Sequence, residues 1–140
     1  MADKGEISTN ALPVATTKWE PVYKSQYEEA WVKTGVPVLE DILGAKQIWF
    51  GYEPVKFVLG KPIYTPDFMH LLEDGRIVIM EIKGSRHQRG YRSSRTKLRT
   101  AAGIYPFFIW TLAIGNKQKG EINEWEVEFI SANMKGKGNV

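Results

Sequence analysis

Asp67, Glu81 and Lys83 are the residues of this chain whose types and spacing best suit a reaction centre. Successive side chains of a strand alternate faces, so Glu81 and Lys83 point one way and Ile82 the other. The two charges end an otherwise apolar run, Ile77-Val78-Ile79-Met80, where a charge is costly unless something uses it. Two converging carboxylates suit a hard divalent cation such as Mg²⁺, which prefers oxygen ligands and keeps several waters. The backbone carbonyl of Ile82 is a further candidate ligand. A cation so placed activates water and offsets the charge that develops as a phosphodiester breaks. Lys83 would orient or deprotonate that water, or stabilise the pentacovalent phosphorus.

The element that must bring these residues together is a β-hairpin. Residues 65–72 and 76–83 flank Glu73-Asp74-Gly75, and Asp-Gly is a turn pair that tolerates positive φ. With the turn there, Asp67 approaches Glu81 and Lys83 across the ladder. His70 alternates onto the face opposite Asp67 and reads as structural. Upstream, residues 25–34 read as a helix, with Ser25 as N-cap, Glu28 at the capping-box position and Gly35 as the stop. Residues 47–52 and 55–59 read as strands interrupted near Pro54.

Downstream, residues 91–103 read as a helix with Leu98, Ala101 and Ala102 inward and Arg92, Arg95 and Arg99 outward or toward a ligand. Gly103 would cap it, and Pro106 prevents its continuation. Residues 107–114 form an almost unbroken apolar run, expected to be a central strand. Residues 124–130 alternate glutamate with apolar side chains, as a half-buried edge strand does. Trp49, Trp110 and Trp125 read as core. The order helix, strands, hairpin, helix, strand, strand describes an α/β fold, a mixed central sheet flanked by helices.

The whole chain bounds these expectations. Its 140 residues suit one domain, expected over residues 18–132 between flexible tails at 1–17 and 133–140. Cysteine is absent, which excludes a disulfide framework, a thiolate metal site and a thiol nucleophile. No apolar run has the length of a membrane span, so the expectation is a cytoplasmic protein with no membrane partner. The net charge is only +3, yet no acidic residue lies between Glu81 and Glu121. That one-signed block attracts polyanions. Its candidate nucleic-acid contacts are Arg86, His87, Arg89, Arg92, Arg95, Lys97 and Arg99.

Thr65-Pro66-Asp67-Phe68, followed after a short hairpin by Glu81-Ile82-Lys83-Gly84, resembles the motif of the PD-(D/E)xK nuclease superfamily. Ser25-Gln26-Tyr27-Glu28 resembles the acidic element on that superfamily's first helix. The likeness is to small phage-type members, the endonuclease I group of junction-resolving enzymes, and covers residues 25–114. It implies a restriction-endonuclease-like core and a Mg²⁺-dependent endodeoxyribonuclease, with Mn²⁺ as a substitute. Asp67 and Glu81 would bind metal and Lys83 would serve the water or the transition state. Glu28 would assist the metal, with Glu29 as the fallback. A resolvase acting on a Holliday junction makes two symmetric cuts, so the resemblance also implies a homodimer on branched DNA, in the host cytoplasm if phage-encoded. The residues alone leave open a nicking enzyme, an exonuclease, or a nucleic-acid-binding module of the same fold without catalysis.

Overall fold

The structure, a computed structural model, describes residues 21–132. The expected tails lie outside the described residues. The described chain opens on helix α1, Gln26–Ala30, whose N-cap Ser25 accepts the Glu28 N–H at 3.1 Å. Gly35 does not stop it. The chain passes through a π turn, Trp31–Gly35, into α2, Val36–Leu43. A Cβ at Gly35 would collide with the Trp31 indole, so packing requires the glycine here. Pro37 is accommodated because it stands in the first turn of α2, where a missing N–H costs little. The real terminator is Gly44, left-handed at φ 70°, whose N–H returns to the Glu40 carbonyl.

A five-stranded mixed sheet follows, in the spatial order β1-β4-β5-β6-β7. Its strands are β1 (Gln47–Tyr52), β4 (Phe68–Leu72), β5 (Ile77–Lys83), β6 (Ile109–Gln118) and β7 (Glu121–Ile130). Only β5 and β6 run parallel, and the crossover between them is α3, Tyr91–Ile104. That helix runs through Gly103, with Tyr105 as its C-cap. The stretch expected as one strand at 55–59 supplies β2 (Phe57–Val58), which pairs with β3 (Ile63–Tyr64) in a separate small hairpin. In β1 the register slips between Gln47 and Trp49, leaving Ile48 as an extra, half-exposed residue.

The main hairpin forms where Asp74-Gly75 puts it, with Gly75 at φ 93°. Its register pairs Leu71 with Ile77 and Phe68 with Met80. Alternation then divides the core. Val78, Met80 and Ile82 face Trp31, Val36 and Leu39, while Ile79 faces Leu98, Ala101 and Trp110. Helices thus cover both faces of the sheet, and each fully buried Leu or Ile contributes about 1.5–3 kcal/mol. Of the tryptophans expected in the core, Trp110 is buried, whereas Trp49 and Trp125 are half-buried. Among the described residues, no helix is long and apolar enough to cross a membrane.

Candidate active site

One residue beyond the last pair of the hairpin ladder, Asp67 falls opposite Glu81, as Phe68 does opposite Met80. Both carboxylates are buried. The Ile82 amide donates to Asp67 Oδ2 at 2.8 Å. Glu81 is held on both oxygens. Tyr64 donates to Oε1 at 2.7 Å, while Ser94 reaches Oε2 at 3.5 Å and the Lys83 ammonium lies 3.9 Å from Oε2. Beside the lysine, Gly90 caps α3 in the left-handed conformation at φ 86°, which glycine adopts without strain.

Glu28, on the first turn of α1, completes the acidic group. Its Oε1 accepts the Tyr52 hydroxyl at 2.7 Å and the Lys24 N–H at 2.9 Å. The N–H that it caps belongs to the residue before the N-cap, a variant of the capping box. Glu28 also stands near enough to Asp67 to add to the rise of its pKa. It therefore serves the helix end and the site together. Glu29, the fallback, turns outward to Lys33 at 3.3 Å.

The electrostatics follow from burial. Desolvation disfavours the charged form of Asp67, and the Glu81 charge beside it adds to this, raising its pKa to about 9 against the pull of the Ile82 N–H. Burial likewise raises Glu81, opposed by the Tyr64 hydroxyl and the Lys83 charge. Burial and the neighbouring Glu81 carry the Tyr64 phenol far above its usual range, so it remains a donor. A divalent cation would offset the desolvation and the mutual repulsion that together favour a protonated form of this pair. The oxygen donors suit Mg²⁺ in kind. Among the described residues, no group of three or more His, Cys, Asp or Glu side chains is arranged to hold a metal ion. Asp67 and Glu81 are the two side chains placed side by side that would hold a cation here.

The basic block divides in two. Arg86 forks onto Glu126, at 2.7 Å and 3.2 Å, and Arg95 turns back onto Glu128, its Nε at 2.9 Å. Tyr91 joins Glu128 at 3.2 Å. The register explains this: Glu81, Leu112 and Glu128 form one cross-strand row, and Lys83, Ile114 and Glu126 the next. The glutamates of β7 thus share a sheet face with the site and meet α3. Arg95, expected to face outward or a ligand, is half-buried for that reason. His87, Arg89, Arg92, Lys97 and Arg99 are exposed, and among the described residues none of them forms an ion pair.

Two contributors escaped the sequence reading. Ser94 occupies an inward position of α3, and its spacing to Leu98 and Ala101 is the signal that would have found it. Tyr64 sits in a two-residue strand too short to show alternation. His70 lies on the other face, where its Nε2 accepts the Trp31 indole N–H at 3.0 Å. No protein-family model matches the chain, and no curated protein matches it either.

Proposed function

We propose that the chain is a Mg²⁺-dependent endodeoxyribonuclease of the PD-(D/E)xK type, with a restriction-endonuclease-like core, acting on branched DNA as a homodimer. The observation that carries this reading is the juxtaposition of Asp67 and Glu81 across the hairpin, buried together, with Lys83 on the same strand face. Two buried carboxylates side by side are costly in a purely structural role, because like charges in a dry site cannot both ionise. A bound divalent cation would supply Lewis-acid activation of water and of the phosphodiester. Asp67 and Glu81 are the residues that would hold it. Lys83 contributes a fixed ammonium that can orient the attacking water or pair with a phosphate oxygen. Glu28 accepts hydrogen bonds beside Asp67 and can hold a water for either role. The exposed cations Arg89, Arg92, Lys97 and Arg99, with His87, are the chain's means of gripping the DNA backbone. Branched DNA and the homodimer follow from the motif resemblance.

The test is cleavage of supercoiled plasmid in Mg²⁺ or Mn²⁺, comparing the wild type with Lys83→Ala and Asp67→Ala. Metal-dependent nicking or linearisation by the wild type alone is the expected result; no cleavage in either metal would sink the enzyme. A labelled panel of four-way junction, flap, single-stranded and duplex DNA then fixes the substrate, and preference for plain duplex would remove the junction assignment.

A further inference from the structure

Tyr64 belongs to neither motif, yet its hydroxyl makes the shortest hydrogen bond to Glu81, 2.7 Å to Oε1. Among the described residues, the other oxygen, Oε2, has only the longer approaches of Ser94 and Lys83. The carboxylate is therefore anchored at one end and loosely held at the other. The anchor is rigid. Tyr64 is 4% exposed, its backbone pairs with Phe57, and both rings belong to the core beneath α3. Three residues later the same strand exit delivers Asp67. One short segment thus sets both carboxylates: Asp67 through the backbone, Glu81 through the phenol.

We infer that Tyr64 is a positioning residue that fixes the orientation of the Glu81 carboxylate for a divalent cation. The inference rests on the proposed metal site. An unanchored glutamate has three rotatable bonds and must be ordered when the cation binds; the phenol orders it in advance. Outer groups that hydrogen-bond a metal-binding carboxylate characteristically change metal affinity by about 10–100-fold when removed.

The test is Mn²⁺ titration by calorimetry in the absence of nucleic acid, on the full chain. Tyr64→Phe keeps the ring and its packing and removes only the donor. Tyr91→Phe removes a phenol hydroxyl that serves Glu128 and is the control. The expected result is a loss of Mn²⁺ affinity of about tenfold or more for Tyr64→Phe, with Tyr91→Phe unchanged. A merely structural hydroxyl would lower the melting temperature and leave the affinity alone. Should Tyr64→Phe be destabilised, the rise of Tm with added Mn²⁺, started from low temperature, gives the same comparison. Equal affinity for wild type and Tyr64→Phe overturns the positioning role and leaves the metal site standing. A folded wild type that takes up no Mn²⁺ overturns the metal site and the positioning role together.

Discussion

His70 and Asp67 stand three residues apart on one arm of the hairpin, both buried, yet their surroundings differ in kind. His70 is enclosed by neutral partners, with Nε2 accepting from Trp31 and Nδ1 facing the side-chain amide oxygen Oε1 of Gln47, a pairing met by the Nδ1–H tautomer. Burial lowers its pKa to about 3, so it remains neutral and satisfied. Asp67 has one backbone donor and two carboxylate neighbours. Burial neutralises acid and base alike. The company of like charge is what would let a cation displace the proton of Asp67, and His70 has no such company.

The sharpest break between the two regions is in activity. Lys83→Ala and Asp67→Ala should each lower metal-dependent cleavage by about 10³-fold, roughly 4 kcal/mol of transition-state stabilisation. The readout is the plasmid assay, with circular dichroism confirming the fold. His70→Ala should do the reverse, costing about 3 kcal/mol in urea unfolding through a cavity and an unpaired Trp31 N–H, with Mn²⁺ affinity retained. If His70→Ala abolished Mn²⁺ binding in a folded protein, the division between a structural and a reactive region would fail.

Acidity separates the regions by sign. Folded Asp67 keeps a proton up to about 9, against 3.8 for the ordinary carboxyl, so its contribution to stability is full below pH 4 and is lost as pH rises toward 9. Folded His70 refuses a proton down to about 3, against 6.5, so its contribution is lost as pH falls below 6.5. Asp67→Asn should therefore raise the metal-free Tm at pH 8, by about 4 °C for a gain of about 1 kcal/mol, and flatten the alkaline decline. Thermal melts in chelator across pH 4–9 measure this, and an unchanged slope would count against the buried pair. The smallest expected effect separates exposed from paired arginines. Arg99→Ala should reduce the salt slope of DNA binding by about 1, whereas Arg86→Ala, already paired with Glu126, should reduce it less.

Much of this was legible in the residues. Asp74-Gly75 fixed the hairpin turn, and the alternation from Ile77 to Lys83 placed Glu81 opposite Asp67 and His70 on the far face. What was hidden depended on tertiary packing. Gly35 carries the sign of a helix stop, but its bare Cα is required by the Trp31 indole, which no local pattern reveals. Glu126 and Glu128 read as a solvated edge; they meet Arg86 and Arg95 only because β7 pairs with β6 in a register set across the whole sheet. Tyr64 depends on a hairpin of two-residue strands, below the length at which periodicity carries information.

The irregularity at Ile48 bears on how the molecule keeps to itself. The outer strands are templates for adding another chain. At β7 the edge carries Glu121, Glu124, Glu126 and Glu128, whose mutual repulsion discourages stacking. At β1 the sequence Gln47-Ile48-Trp49-Phe50 carries no such charge of its own, and the bulge that Ile48 creates twists the edge and breaks its hydrogen-bonding rhythm. Among the described residues, the Glu40 carboxylate also takes the first amide of that strand, that of Gln47, at 2.7 Å, so a charge closes one end of this border and the extra residue bends the rest.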